Sequence, residues 1–310
     1  MRAVLASRYG GPEVLDLGER PDPKIGPDTV LVRVRAASIN PVDWKIVKGY
    51  LDGAWPVIFP LTPGWDVAGE VVAAGPAVTH VHPGDRVFGY ARRDFTGEGT
   101  WAQLAAVPAR GIALMPEQTD FAAASGLPLA GLTAYQCLAD KARVSSGDSV
   151  LVHAASGGVG SMAVQIARAL GAARVIGTTS ERNFDYVRGL GAEPVAYGDG
   201  LAARVRELAP DGVDAVVDLA GGEALAASAE LVTNRHRVVS VVDAAGVTAL
   251  GGQYVFVRPD VAGLDQLARW ADAGQLRVHV EAEFGLDRVR EAVEQAMAGH
   301  TRGKLVLTVD

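Results

Sequence analysis

The sequence contains one cysteine, Cys137, in 310 residues. An intrachain disulfide needs two thiols and a cysteine-rich zinc site needs several, so both are excluded. No apolar run reaches the roughly 18 residues that a transmembrane helix needs, and we expect no membrane partner. The first residues, MRAVLASRYGG, lack the apolar core of a signal peptide and are typical of a first strand. These features predict a cytoplasmic protein.

Positive charge is in deficit: 29 Lys and Arg stand against 36 Asp and Glu, for a net charge of −7. No local basic patch offsets that balance, so we expect no nucleic-acid partner. The chain is 49% hydrophobic and 21% charged, which is typical of a globular protein. Because 310 residues exceed one ordinary hydrophobic core, we expect two domains.

The first 120 residues or so have an all-β pattern. In the strand predicted over 29–37, Val30, Val32 and Val34 face one way, and Arg33 and Arg35 face the other. Further short strands are predicted at 3–5, 67–74 and 100–107, separated by Gly-Pro and Pro-Gly turns. Many short strands at this spacing predict a compact, barrel-like domain.

The pattern changes near residue 119, where Thr119 and Asp120 are suited to cap a helix over 121–125. Helical stretches, among them 131–141, 261–275 and 286–298, then alternate with short apolar runs. Strands are predicted at 150–152, 174–178, 194–197, 213–219, 237–242, 254–257 and 304–309. The alternation predicts an α/β protein with a doubly wound parallel sheet. We place this Rossmann domain at 121–261, and a discontinuous β domain at 1–120 and 262–310.

The stretch 150–171, VLVHAASGGVGSMAVQIARALG, predicts a buried strand, a glycine turn and a helix that ends at Gly171. This order is typical of dinucleotide binding, because glycines allow close approach of a pyrophosphate that the helix N-terminus stabilises. The first glycine of the usual fingerprint is replaced by Ala155, which a turn with negative φ tolerates. A glycine-rich turn without a ligand is the alternative. The predicted cofactor contacts in the turn are Ala155, Ser156, Gly157, Gly158, Val159 and Gly160.

The end of the next strand favours NADP(H) over NAD(H). An NAD site carries a carboxylate about 20 residues after the glycines, whereas this sequence has Thr178, Ser180 and Arg182 there. Hydroxyls and a guanidinium suit a ribose 2′-phosphate. Glu181 is the counter-evidence: if it faces the ribose instead, the preference reverses. Tyr197 flanks the same phosphate or is an ordinary tyrosine at the end of a strand.

Several segments, in order along nearly the whole chain, carry a family resemblance. They are 38–43 (SINPVD), 63–70 (PGWDVAGE), 84–88 (GDRVF), 131–134 (GLTA), the glycine turn and Gly303-Lys304. With them the chain resembles the medium-chain dehydrogenase/reductase superfamily. It is most similar to the zinc-free quinone oxidoreductase branch, with its zeta-crystallin-like and alkenal/enone oxidoreductases. The resemblance implies a GroES-like β domain and a Rossmann domain.

The positions that bind catalytic zinc in other members of the superfamily differ here. Ser38-Ile39-Asn40 stands in the region of the family's cysteine, and Trp65-Asp66 stands where a His-Glu pair would be. An indole does not ligate zinc, and serine and asparagine are poor ligands compared with thiolate. His80 and His82 have metal-like spacing but adjoin a Pro-Gly turn. We therefore expect no metal.

The resemblance assigns catalytic candidates in the first domain. Asn40 matches a position near the nicotinamide, where its amide would bind cofactor and donate to the substrate oxygen; alternatively it caps the turn before Pro41. Tyr50 is the first candidate for a proton donor or substrate clamp, and Lys45 is the second. Loop packing is the alternative for Tyr50, and water is an alternative proton source.

The resemblance also implies cofactor contacts outside the glycine turn. Thr133 matches a helix hydroxyl near the nicotinamide ribose. Val241, together with Phe256 and Val257, corresponds to segments that meet the nicotinamide, although core packing explains these apolar residues equally well. Arg302 and Lys304 are expected to reach the cofactor from the closing strand, or Arg302 is a surface charge.

Together these features predict a zinc-independent oxidoreductase that uses NADP(H). Its hydride would pass to a quinone or to the C=C bond of an α,β-unsaturated carbonyl, both small molecules. The alternative is an NADPH-binding redox sensor with little turnover. The resemblance also implies a homodimer that forms through the strand at 254–257.

Overall fold

The computed structural model describes all 310 residues, which form two compact units. Unit 1 comprises Met1–Leu129, Pro259–Ala273 and Arg277–Asp310, and unit 2 comprises Ala130–Arg258 and Gly274–Leu276. The boundaries predicted after residues 120 and 261 fall close to these ends but not at them. No helix combines the length and the apolar character that crossing a membrane requires.

The chain contains seventeen strands and ten α-helices. The strands are β1 Arg2–Leu5, β2 Asp16–Glu19, β3 Thr29–Ile39, β4 Val57–Thr62, β5 Asp66–Ala74, β6 Arg86–Tyr90, β7 Thr96–Glu98, β8 Leu104–Pro108, β9 Ile112–Leu114, β10 Ser149–Val152, β11 Arg174–Thr179, β12 Glu193–Ala196, β13 Ala215–Asp218, β14 Val238–Ser240, β15 Gln253–Tyr254, β16 Val280–Gly285 and β17 Lys304–Thr308. The α-helices are α1 Pro41–Val47, α2 Phe121–Ser125, α3 Pro128–Tyr135, α4 Gly158–Ala169, α5 Phe184–Gly189, α6 Leu201–Leu208, α7 Gly222–Leu231, α8 Ala244–Ala249, α9 Val261–Asp272 and α10 Val289–Met297.

Unit 1 is built on a seven-stranded sheet in the order β16-β17-β3-β5-β6-β9, with β8 also paired to β3. All pairings in this sheet are antiparallel except that of β16 with β17. The alternation in β3 buries Val30, Val32 and Val34, as its sequence predicts. The last strand, β17, pairs with β3, so the end of the chain lies in unit 1.

Helix α2 has the predicted bounds, and the side chain of Asp120 caps it by accepting from the Ala123 N–H. The sequence assigned this helix to the second domain, but it packs against β3 and β5 of unit 1. The helix predicted over 131–141 is divided: α3 ends at Tyr135, and a π-helical turn covers Gln136–Lys141.

Unit 2 is a six-stranded sheet in the order β12-β11-β10-β13-β14-β15, and every pairing is parallel. This is the order of a doubly wound dinucleotide-binding fold, so the predicted fold class is confirmed. Its ligand site is expected where the order reverses, beyond the carboxyl ends of β10 and β13.

Two predicted strands are shorter in the structure. The strand predicted at 254–257 is only the two residues of β15, although Val255 N still donates to Ser240 O at 3.0 Å. The strand predicted at 100–107 begins at Leu104, and Thr100 lies outside it, with its buried hydroxyl donating to the Asp66 carbonyl at 2.7 Å.

Candidate functional site

The glycine turn of unit 2 joins β10 to α4 and leaves the helix N-terminus open. Gly157 is the N-cap residue, and no side chain accepts from the first turn. A Cβ on Gly160 would lie 2.1 Å from the Ala154 carbonyl oxygen, so the chain itself requires this glycine. A Cβ on Gly157 would meet nothing closer than 3.5 Å, so the chain leaves space there. An uncapped helix N-terminus beside a bare backbone fits a pyrophosphate.

The remaining predicted residues of the turn differ in exposure. Ala155 is buried, and its N–H donates to the Thr178 carbonyl at 2.9 Å, so alanine fits the first fingerprint position as expected. Ser156, Gly158 and Val159 are half-buried. Ala154, just before them, has a φ of +50°, a left-handed conformation that is uncommon for alanine.

Thr178, on the neighbouring strand β11, forms hydrogen bonds with the residues that begin this turn. Its hydroxyl accepts from Ala154 N at 3.2 Å and pairs with Nδ1 of His153 at 3.2 Å. The side chain is buried and its hydroxyl is used within the chain, and the cofactor contact predicted for Thr178 stays a prediction. The sequence did not identify His153 as a residue of this site. Its Nε2 pairs with the Ser228 hydroxyl at 2.8 Å, and burial lowers the pKa of His153 to about 4.

A group of polar side chains lies at the end of β11. The Ser156 hydroxyl accepts from Thr179 at 2.9 Å and from the Asn183 amide at 3.2 Å, and the same amide donates to Ser180. Thr179 and Asn183 are further residues that the sequence reasoning missed. Arg182 is exposed and pairs with no group in the chain, and Glu181 is exposed beside it.

The other predicted cofactor residues of unit 2 vary in exposure. Tyr197 is 64% exposed, and Phe256 is exposed as well. Val241 and Val257 are half-buried, whereas Thr133 is buried within α3. No hydrogen bond or ring contact links Tyr197 to Arg182, so their grouping around one phosphate stays a prediction.

In unit 1, Asn40 lies in a buried polar cluster at the end of β3. Its Nδ2 donates to Asp66 Oδ2 at 2.8 Å, and its Oδ1 accepts from Lys304 Nζ at 2.7 Å. Lys304 is 3% exposed, and its Nζ also lies 3.6 Å from Asp66 Oδ2. The ammonium is therefore directed into unit 1, and the cofactor contact predicted for Lys304 stays a prediction.

Asp43 and Tyr90 bring unpaired polar atoms to the interior of unit 1. Asp43 Oδ2 accepts from Asn40 N at 2.7 Å, as in a helix cap, but Oδ1 has no partner. Burial raises the pKa of the Asp43 carboxyl to about 8, the hydrogen bond from Asn40 opposes this rise, and the charge of Asp66 adds to it. The Tyr90 hydroxyl is likewise buried without a partner, and burial raises its pKa.

Burial also lowers the pKa of Lys304, while the Asp66 carboxylate opposes that change.

The other catalytic candidates lie nearer the surface. Tyr50 is 64% exposed and its ring contacts Trp44 edge-on, with centroids 6.4 Å apart. Lys45 is half-buried, with its Nζ 5.7 Å from the Trp44 ring centroid. Arg302 is half-buried, and its backbone N–H donates to Glu281. The hydroxyl of Tyr50 is therefore accessible, and its role stays a prediction.

The residues at the family's zinc positions are engaged with one another. The Ser38 hydroxyl donates to Asp66 Oδ2 at 2.7 Å, and Trp65 is buried. No group of three or more His, Cys, Asp or Glu side chains is arranged to hold a metal ion. His80 Nε2 contacts the Ile112 carbonyl at 3.1 Å, His82 pairs with Asp85, and Cys137 is buried in unit 2.

Comparison with known proteins gives the same assignment along the whole chain. Residues 26–117 match the alcohol dehydrogenase GroES-like domain family, and residues 190–307 match the zinc-binding dehydrogenase family. The chloroplastic quinone-oxidoreductase homolog of Spinacia oleracea is 33% identical, over 99% of this chain and 98% of its own. The chloroplastic NADPH-dependent alkenal/one oxidoreductase of Arabidopsis thaliana is 35% identical, over 99% of this chain and 79% of its own.

A solved structure agrees with these sequence relatives. The quinone oxidoreductase from Coxiella burnetii superimposes with a TM-score of 0.87 at 32% identity, covering 100% of this chain and 99% of its own. The GroES-like and Rossmann assignments are thereby confirmed. The chain is an oxidoreductase that belongs to the quinone oxidoreductase branch of the medium-chain dehydrogenase/reductase superfamily.

Proposed function

We propose that this protein is an NADPH-dependent reductase of quinones or of the C=C bond of α,β-unsaturated carbonyls. The observation that carries the proposal is the uncapped N-terminus of α4, where Gly157 leaves space that the chain itself does not fill. The relatives named as quinone and alkenal/one oxidoreductases supply the two substrate classes.

The preference for NADPH rests on the side chains at the end of β11. Arg182 is exposed and unpaired, and the Ser180 hydroxyl lies two residues before it. A guanidinium and a hydroxyl would hold a 2′-phosphate through charge-assisted hydrogen bonds, each contributing roughly 1.5–3 kcal/mol. Glu181 is exposed at the same place and would repel that phosphate, so its direction determines how strong the preference is.

When bound, the nicotinamide supplies a hydride, and the chain must orient the acceptor and stabilise the charge that develops on its oxygen. Asn40 would donate an N–H to that oxygen, which is the kind of interaction that stabilises a transition state by a few kcal/mol. Tyr50 is the first candidate to deliver the proton, because its hydroxyl is accessible, and Lys45 is the second.

The zinc that the second family's name implies does not fit the residues present. A catalytic zinc site needs three protein ligands, commonly His, Cys or Glu. The corresponding positions hold Ser38, Asn40, Trp65 and Asp66, and the carboxylate of Asp66 is already occupied by three donors. We therefore propose a hydride transfer in which no zinc takes part.

An acceptor screen with purified protein tests this function. We expect oxidation of NADPH, followed at 340 nm, with at least one member of a panel of benzoquinones, naphthoquinones, short alkenals and enones. With NADH in place of NADPH, kcat/KM should fall by about tenfold or more. Tight NADPH binding without turnover on any acceptor would contradict the reductase and favour the redox-sensor alternative.

A further inference from the structure

The Asn40 carboxamide is held at both ends by charged groups of opposite sign. Its Oδ1 accepts from the Lys304 ammonium at 2.7 Å, and its Nδ2 donates to the Asp66 carboxylate at 2.8 Å. An ammonium can only donate and an ionised carboxylate can only accept. The amide therefore has a single orientation, since a 180° flip would place donor against donor and acceptor against acceptor.

The two groups that hold the amide are themselves fixed. Asp66 Oδ2 accepts from the Ser38 hydroxyl at 2.7 Å, and Oδ1 accepts from Leu129 N at 2.8 Å. Lys304 Nζ also donates to the Ile39 carbonyl at 3.3 Å. Asp66, Lys304 and Asn40 are each at most 3% exposed, so water does not compete for these contacts.

One N–H of the Asn40 amide has no partner within the cluster. A carboxamide has two N–H donors, and only one of those on Asn40 is used, by Asp66. We infer that Lys304 and Asp66 are positioning residues, which fix the Asn40 amide so that its second N–H donates to the substrate oxygen where charge develops. This inference rests on the proposed function.

The arrangement also affects the strength of that donor. Hydrogen bonds in a low-dielectric interior polarise one another, and the ammonium at Oδ1 withdraws electron density from the amide. Because the amide is oriented before the substrate arrives, no reorganisation is needed when the charge forms. Lys304 thus acts on the reaction through Asn40 and not through the cofactor phosphates.

The orientation of the amide can be measured without turnover. In ¹H–¹⁵N spectra of the full-length protein, the Asn40 side-chain pair is identified by its loss in Asn40→Asp. We expect the proton bonded to Asp66 to exchange with solvent much more slowly than the side-chain amide protons of exposed asparagines. Exchange of both protons as fast as in exposed asparagine side chains would overturn the inference.

Kinetics of Lys304→Met separate the two roles of the lysine. We expect the single-turnover rate of NADPH oxidation to fall at least about tenfold, with the Kd for NADPH within twofold of wild type. Lys24→Met, at an exposed lysine without contacts, is the matched control and should change neither quantity. A raised Kd for NADPH with an unchanged rate would overturn the inference, because Lys304 would then contact the cofactor and would not position Asn40.

A second variant covers the case in which Lys304→Met does not fold. In Asp66→Asn the amide loses its charged acceptor, and the same loss of rate with an unchanged Kd for NADPH is expected; an unchanged rate would overturn the inference. If the wild type reduces no acceptor at all, the proposed function is wrong, and so is the proposed donation of a hydrogen bond to the substrate. The spectra still decide whether the amide is held.

Discussion

At the scale of single residues, we expect cofactor choice to depend on two neighbours of opposite charge after β11. Arg182 attracts a 2′-phosphate, whereas Glu181 repels it and would accept from a free 2′-hydroxyl. Both side chains are exposed, so either can reach a ligand. The Ser156–Asn183–Ser180 hydrogen bonds fix the surface from which they project.

Arg182→Ala should weaken NADPH much more than NADH. Loss of a charge-assisted contact worth roughly 1.5–3 kcal/mol corresponds to a loss of about 10–100-fold in affinity for NADPH. NADH affinity should change by less than about twofold. Fluorescence titration with both cofactors measures this, and Arg188→Ala, whose exposed arginine pairs with Asp185, is the control. An equal loss for both cofactors would refute the phosphate contact.

His153 couples the protonation state of unit 2 to its stability. Burial lowers its pKa in the folded state to about 4, from 6.5 in the unfolded chain. Between these values only the unfolded state takes up the proton, so the free energy of unfolding should fall by about 3 kcal/mol from pH 6.5 to pH 4. From about one pH unit above 6.5 the residue is neutral in both states and contributes no slope.

Urea denaturation of the wild type and His153→Gln across that pH range tests the coupling. The variant should lose the part of the slope that His153 causes. His236→Gln, at an exposed histidine, should keep the wild-type slope. Parallel curves for the wild type and His153→Gln would show that His153 titrates normally.

Individual side-chain partners were the least predictable part of the candidate site. The sequence identifies Asn40 and Lys304, but 264 positions separate them, and nothing local indicates that they bond. His153 lies beside the glycine turn and resembles any polar residue at the end of a strand. Its two partners come from β11 and α7, which only the folded sheet brings together. Such contacts depend on tertiary packing, which local periodicity does not encode.

At the scale of elements, the turn between β10 and α4 combines a structural glycine with one that the chain does not need. Gly160 is fixed by the Ala154 carbonyl, which a Cβ would approach to 2.1 Å. Gly157 has φ −77° and no close neighbour, so alanine would fit the backbone there. Substitution of Gly160 therefore tests how the turn folds, whereas substitution of Gly157 tests whether a ligand approaches the backbone.

Gly160→Ala should destabilise the protein by about 2 kcal/mol or more and weaken NADPH, since backbone must move to admit the Cβ. Gly157→Ala should melt within a few degrees of the wild type and yet bind NADPH at least about tenfold more weakly, because its Cβ meets the ligand. Thermal melts and NADPH titrations measure both effects. Unchanged NADPH affinity in Gly157→Ala would mean that no ligand approaches this backbone.

The elements themselves were largely predictable. The alternation in β3, the cap of α2 and the strand–turn–helix of β10 and α4 are local patterns, and the structure has each of them. The exceptions are segments whose ends depend on distant contacts. Helix α2 packs on unit 1 although it follows the change in composition, and β15 pairs over only two residues.

At the scale of the whole molecule, two units supply different parts of the proposed chemistry. Unit 2 carries the glycine turn and the polar group at the end of β11, and unit 1 carries the Asn40–Asp66–Lys304 cluster. The homodimer expected through the edge strand β15 stays a prediction.

Metal removal should leave the activity of the whole protein unchanged. Because Asp66 is paired with Lys304 and no three ligating side chains converge, we expect much less than one zinc per chain by elemental analysis. Dialysis against EDTA should not lower NADPH oxidation. One full equivalent of zinc, together with loss of activity on chelation, would contradict the zinc-free hydride transfer.

The most direct test follows the hydride itself. NADPH deuterated at the transferring C4 position is mixed in single turnover with the best alkenal or enone from the acceptor screen. We expect a saturated product that carries one deuterium on its β-carbon, in chelated and untreated protein alike. A reduced product without deuterium, or one that forms only when a metal is added, would contradict direct transfer from NADPH.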